Sequence, residues 1–282
     1  MKVDESPPVG LYEKALPAEL SWEERLKAAA EAGYDYVEIS IDESNSRLAR
    51  LDWSVSKREK LLKDIDNTNM PILTMCLSAH RKYPLGSSNP KIRSRGLKIL
   101  KKSIEFAVSF GLKIIQINGY DAYYEPSNAE TQARFISGLK QGVEWASHAG
   151  IMLGLENVDT PFVDSIEKAL RIVNEINSPW FQLYSDIGNL LAAGYHPPDQ
   201  IKLAGGHLVG LHVKDALPGC VRRVAFEEGD VPFGETFNAL SDISYRGPLT
   251  VEMWAELDQD INAYEAVKDA RIFVDQLIAL IS

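Results

Sequence analysis

The sequence predicts a single-domain (β/α)8 TIM barrel spanning residues 1–282. Three observations carry that prediction. The chain has 282 residues, and eight β-α units ordinarily take about 250 residues as one domain. Eight short apolar runs alternate with longer amphipathic stretches. The runs are apolar on both faces, as parallel strands covered by helices must be. Eight of them suit a closed barrel better than an open sheet.

The strand candidates, in order, are VGLY (9–12), YVEISI (36–41), ILTMCLS (72–78), IIQING (114–119), IMLGLE (151–156), WFQLYS (180–185), LVGLHV (208–213) and LTVEMW (249–254). The helices between them carry start and stop signals. Ser21 to Glu24 reads as a capping box, and Gly33 stops the helix it opens. Asn89 followed by Pro90 is an N-cap with proline at the first helical position, and Gly111 ends that helix. Ser127 with Glu130, and Asp164 with Glu167, read as two more capping boxes, the first ending at Gly150. The sixth helix, in HPPDQIKLAGG, must be short. The last, from about Asp260 to Ile281, is long and closes the barrel.

Composition narrows the function. Hydrophobic content is 45% and charged content 25%, ordinary for a globular chain that buries a large core. A net charge of −10 argues against nucleic acid or an anionic membrane as partner, since both demand a basic footprint. It leaves room for a small anionic substrate. Two cysteines, Cys76 and Cys220, make no disulfide framework and fit the reducing cytoplasm. The opening MKVDESPPVGLYEKALP has no signal-peptide character, and no window approaches the roughly 18 apolar residues of a membrane span.

Four chemically able side chains stand at the ends of the last four strands: Glu156, Asp186, His212 and Glu252. They are spaced 30, 26 and 40 residues apart, near the length of one β-α unit. Strand C-termini are where such a barrel keeps its active site. Any one of these carboxylates alone could be a helix N-cap or a structural ion partner, and His212 alone a satisfied core histidine. Four at neighbouring strand ends point to one divalent ion per chain. Oxygen-rich sites with one imidazole suit Mn²⁺, Mg²⁺, Co²⁺ or Zn²⁺, and the sequence does not choose among them. The chain has five histidines, and His212 stands without another beside the carboxylates, which disfavours a trinuclear zinc nuclease. Glu156 and Glu252 lie on non-adjacent strands, so they approach from different sides. A carboxylate on each face of a carbon is the minimum equipment for removing a proton from one face and returning one to the other.

The loops after strands three, four and seven are long and polar. They bring Ser78, His80, Arg81, Asn118, Lys214 and Arg222 to the mouth. Ser78, His80 and Arg81 can hold a phosphate or can form a solvated loop. Lys214 sits just above the ligands, facing substrate or pairing with Asp215 or Glu252. Glu13 and Lys14 contact substrate or each other. Tyr120, Tyr123 and Tyr124 wall the pocket or pack their own loop, and Met75 and Cys76 read as core.

The segments GLYEKALP, RLDWS, MCLSAHRKYPLGS, SPWFQLYSDIGNL, GLHVKD and VEMW resemble the L-xylulose-5-phosphate 3-epimerases, also labelled hexulose-6-phosphate isomerases. These belong to the xylose-isomerase-like barrel superfamily, with tagatose and psicose 3-epimerases as relatives. The resemblance covers essentially the whole chain. It implies a divalent metal on Glu156, Asp186, His212 and Glu252, with Glu156 and Glu252 as acid/base pair. It implies conversion of L-xylulose 5-phosphate to L-ribulose 5-phosphate through a cis-enediolate, and a place in L-ascorbate degradation. In the free-sugar epimerases a histidine follows the sixth-strand aspartate by three positions; Asn189 stands there in this chain, which fits a phosphorylated-sugar branch. Two alternatives keep the same site: an aldose–ketose isomerase, and a non-catalytic sugar-phosphate-binding barrel. A small sugar phosphate is the expected partner, and a homodimer is compatible with the reading.

Overall fold

The computed structural model describes residues 6–255 and 262–280. Eight parallel strands close into a barrel in sequence order: β1 Val9–Tyr12, β2 Tyr36–Ser40, β3 Ile72–Leu77, β4 Ile114–Asn118, β5 Met152–Glu156, β6 Phe181–Asp186, β7 Leu208–Val213 and β8 Leu249–Val251. Each lies within a predicted run or ends one residue beyond it. Their residues are almost uniformly buried because one face meets the barrel interior and the other the helices.

The interior holds more polar groups than the runs suggest. Tyr36, Glu38, Thr74, Tyr184 and Thr250 are all fully enclosed and bond to one another. The two tyrosine rings pack closely against glycines of neighbouring strands. A Cβ on Gly210 would come within 2.3 Å of the Tyr184 ring, and one on Gly10 within 2.1 Å of Tyr36. Only glycine leaves room for these rings inside the barrel.

Helices α1 Trp22–Glu31, α3 Val55–Thr68, α4 Pro90–Phe110, α5 Ala129–Ala149, α6 Ile166–Ile176, α8 Pro197–Ala204, α9 Phe233–Asp242 and α10 Ala263–Ala279 cover the outside, with short α2 Asn45–Leu48 and α7 Ile187–Ala192 beside the mouth. The Ser21 capping box and the Asn89-Pro90 start form as expected, and Gly111 and Gly150 stop their helices with φ of +71° and +69°. Two caps move by one residue. Helix α5 is capped by Asn128, not Ser127, with Thr131 completing the box, because Ser127 turns its hydroxyl to Asp121. Helix α6 is capped by Ser165, not Asp164, whose carboxylate instead meets Lys168 and Tyr195. Helix α10 begins at Ala263; Asp260 and Ile281, the ends expected from sequence, lie outside the described residues. Among the described residues no helix is long and apolar enough to cross a membrane.

Candidate metal centre at the barrel mouth

Strand register sets the height of each side chain. Asn118 is level with Glu156, and Asp186 is level with His212. Glu252 follows the last residue of β8 and stays aligned through its N–H, which donates to the Val213 carbonyl. Four side chains from consecutive strands therefore point at one place.

That place is His212 Nδ1. It lies 2.9 Å from Glu156 Oε1, 3.9 Å from Glu252 Oε2 and 4.0 Å from Asp186 Oδ2. Donor atoms of Glu156, Asp186 and His212 all fall within 4.8 Å of one another. Each group is held from behind. Glu156 Oε2 accepts from the amides of Gln116 and Asn118. Asp186 Oδ1 accepts the Asn189 N–H at 2.8 Å, as a helix N-cap does, which leaves Oδ2 for the centre. Asn157 braces the turn: its Oδ1 accepts from Ser185 and the Asp186 N–H, and its amide donates to the Asp186 carbonyl. On the far side of the imidazole, Nε2 meets Glu38 Oε1 at 2.7 Å.

Lys214 supplies one positive charge. Its ammonium donates to Glu252 Oε2 and Asn189 Oδ1, both at 2.9 Å. It also lies 2.7 Å from Asp186 Oδ2, yet without a hydrogen-bond alignment, so that buried oxygen has no hydrogen-bonding partner. Burial pushes the Asp186 carboxyl up to about 7 despite Lys214, with Glu252 and Glu156 adding repulsion. Burial raises Glu156 as well, against the pull of His212. Glu252 behaves oppositely: burial works against ionisation, but Lys214 and His212 hold it down to about 2. Burial disfavours the charged form of His212, and Glu38 and Glu252 override it and raise the ring well above its ordinary value. Lys214 is the ammonium among these acceptors around one point, and the neighbouring amides neutralise none of their charge. Three oxygens and one imidazole nitrogen around that point, one oxygen without a hydrogen bond, are a donor set that fits a divalent cation.

The cavity above is lined by Ser78, Arg81, Asn118, Asn189, Arg222 and Trp254. Arg81 lies over the rings of Tyr120 and Tyr123, and Tyr120 donates to Asp159 at 2.8 Å. Arg222 stacks on Trp254. His80 stands apart from the cavity: it is fully enclosed, its Nε2 meets the Gly96 carbonyl at 3.2 Å, and burial lowers it to about 4. It braces α4 instead of facing a phosphate. Lys214 lines the cavity but is engaged with the carboxylates. Glu13 and Lys14 do not pair with each other: Glu13 meets Arg47 and Arg50, and Lys14 meets Asp42 at 2.7 Å. Tyr120 lines the pocket beside Arg81, Tyr123 packs behind it against both, and Tyr124 is exposed.

Sequence reasoning missed Glu38, Gln116, Asn157 and Trp254. The signal for Glu38 was available: a carboxylate in the middle of YVEIS, in phase with Tyr36 and Ser40, must face the interior and must have a partner there.

A family model described as xylose isomerase-like TIM barrel matches residues 26–276. The chain is 48% identical over 261 residues to the L-ribulose-5-phosphate 3-epimerase UlaE of Shigella flexneri, covering 93% of this chain and 92% of that one. It is 45% identical over 272 residues to the protein of the same name from Salmonella paratyphi A, covering 96% and 95%. Among solved structures it resembles D-allulose 3-epimerase from Methylomonas sp., with a TM-score of 0.80 at 21% identity, covering 96% of this chain and 97% of that one. It also resembles an L-ribulose 3-epimerase, with a TM-score of 0.81 at 18% identity, covering 97% and 95%. At these identities the solved structures speak for the fold alone.

Proposed function

The chain belongs to the xylose isomerase-like TIM barrel family and is a carbohydrate epimerase, in class a sugar-phosphate 3-epimerase, and from that premise we propose its reaction. It interconverts L-xylulose 5-phosphate and L-ribulose 5-phosphate by inverting C3, and it depends on one divalent ion per chain. The observation that carries this reading is the approach of Glu156 and Glu252 to the same imidazole nitrogen from strands on different sides of the mouth.

The two glutamates are prepared differently. Glu252, paired with Lys214, stays ionised and is ready to accept a proton. Glu156 is oriented by two amides and holds a proton more readily. One removes the C3 proton of the ketose, leaving a cis-enediolate. The other returns a proton to the opposite face, and the configuration inverts. Run in reverse, their roles exchange. Glu156, Asp186, His212 and Glu252 would hold the ion, which supplies Lewis-acid stabilisation of the negative charge developing on the substrate oxygens.

Solvent labelling separates this from an isomerase. In D₂O the product should be a ketose inverted at C3 and deuterated there, with C1 fully protiated. An aldose product, or label confined to C1 or C2, overturns the epimerisation and leaves the metal centre standing.

The phosphate end we assign to Arg81, with Ser78 beside it, and to Arg222 across the cavity. Charge-assisted bonds from a guanidinium to phosphate are among the stronger polar contacts. Arg81→Ala should therefore raise KM for the phosphorylated ketose by about tenfold or more, as expected for the loss of roughly 1.5–3 kcal/mol of a charged hydrogen bond. The unphosphorylated ketose should change little. Equal effects on both sugars would remove Arg81 from this role.

A further inference from the structure

Glu38 has no place in the reaction as described, yet its surroundings are unusually determinate. It sits in the middle of β2 with no solvent exposure. Its Oε2 accepts two hydroxyls, from Thr74 at 2.7 Å and from Tyr184 at 2.9 Å. Its Oε1 lies 2.7 Å from His212 Nε2. Tyr184 is fixed in turn: its hydroxyl also meets Thr250 at 2.8 Å, and its ring packs edge-on against His212, with centroids 5.0 Å apart. A carboxylate buried this deeply costs free energy unless its partners require it. Thr74 and Tyr184 could satisfy each other's needs with water or a neutral acceptor. Only the imidazole gains something specific from a full carboxylate.

An ionised carboxylate accepts hydrogen bonds and donates none. The proton between Glu38 and His212 therefore belongs to Nε2. In the neutral ring Nδ1 must then carry the lone pair, and Nδ1 is the nitrogen that faces Glu156, Asp186 and Glu252. We propose that Glu38 is a positioning residue that fixes the Nε2–H tautomer of His212, so that Nδ1 is the nitrogen presented to a divalent cation. This rests on the metal-dependent reading above. A ligating imidazole whose other N–H is held by a carboxylate is oriented and made more basic, and loss of such a support commonly weakens metal binding by about 10–100-fold.

Glu38→Gln gives a sharp test. The side chain keeps its shape, but its oxygen is drawn to the Thr74 and Tyr184 hydroxyls, which need an acceptor. The amide NH₂ is left against Nε2, and it can only donate. The proton then moves to Nδ1, where it blocks the ligand position.

The experiment uses the full chain and Zn²⁺. Binding is measured by calorimetry, and the ring tautomer by long-range ¹H–¹⁵N correlation of the histidine nitrogens. The His212 signals are assigned by their loss in His212→Gln. In Zn²⁺-loaded wild type, His212 should be protonated at Nε2 alone. In Glu38→Gln, Zn²⁺ should bind about 10–100-fold more weakly, and the ring of the metal-free variant should be protonated at Nδ1 and not at Nε2, whereas metal-free wild type keeps its Nε2 proton. A merely structural role would lower the melting temperature without moving the tautomer. Should Glu38→Gln fail to fold, the wild-type tautomer decides alone: protonation at Nδ1 in the loaded protein overturns the proposal. Unchanged affinity and an unchanged tautomer in the variant overturn it too, while wild-type Zn²⁺ binding leaves the metal-dependent reading intact. Wild type that binds no Zn²⁺ sinks both.

Discussion

Glu156→Gln and Glu252→Gln should each lower kcat by at least about 10²–10⁴-fold, the usual worth of a positioned general acid or base. The two losses should differ in kind. Glu252 is the partner of Lys214, so its amide withdraws a charge from a buried ammonium, whose ion pair to Asp186 and hydrogen bond to Asn189 remain. Glu156→Gln can keep its oxygen on the Gln116 and Asn118 NH₂ donors, which turns its own NH₂ toward His212 Nδ1 and the position where a proton or the ion would be held. Single-turnover deuterium exchange at C3 distinguishes the halves of the reaction: a variant missing one base can still exchange from the face served by the other without inverting. Metal content must be measured in both variants. Either variant retaining its metal and near-normal turnover would falsify that glutamate's part in proton transfer.

Removing the divalent ion should abolish turnover and leave the barrel folded. The core of this chain is a continuous apolar layer between strands and helices, independent of the mouth. Chelation should therefore leave the far-ultraviolet circular dichroism nearly unchanged, and readdition of Mn²⁺, Co²⁺, Zn²⁺ or Mg²⁺ should restore activity to differing degrees. The ion's effect on melting temperature should grow with pH. In the metal-free chain Asp186 titrates at about 7, above the carboxylate range it has when unfolded. Between those values the folded state holds a proton that the unfolded state has lost, so this group's contribution falls as pH rises toward 7. The raised His212 works in the same direction: its stabilisation is complete below the unfolded imidazole value and fades as pH rises through the folded one. Bound metal removes both penalties. The rise in melting temperature on adding Zn²⁺ should be larger at pH 8 than at pH 5, as calorimetric scans can show. Full turnover after exhaustive chelation would dismiss the centre.

The barrel was legible because its strands are apolar on both faces and its stops are glycines that must adopt positive φ. The convergence of Glu156, Asp186, His212 and Glu252 was legible because each ends such a run. What stayed hidden was what supports them. Asn157 and Gln116 are ordinary polar residues in sequence, and their value comes from register across β4, β5 and β6, which one strand cannot reveal. His80 adjoins Arg81 in sequence, but the 3₁₀ turn at Ser78–Arg81 leaves Arg81 on the cavity and His80 enclosed against the Gly96 carbonyl. The shifted caps at Asn128 and Ser165 reflect competition: Ser127 and Asp164 each had a better tertiary partner than the nearest helix end.

The four proposed ligands come from β5 to β8, whereas Ser78, Arg81 and Tyr120 come from segments following β3 and β4. In the proposed reaction, proton chemistry thus comes from the second half of the chain and much of the recognition of the substrate's far end from the first, with Arg222, after β7, as the exception. On this reading a change of diet needs no change of chemistry: altering the loops after β3 and β4 should shift substrate choice while the strands that bear the carboxylates stay as they are. A library confined to residues 78–88 and 119–128 is accordingly the place to look for variants that accept a shorter, longer or uncharged ketose with inversion at C3 preserved.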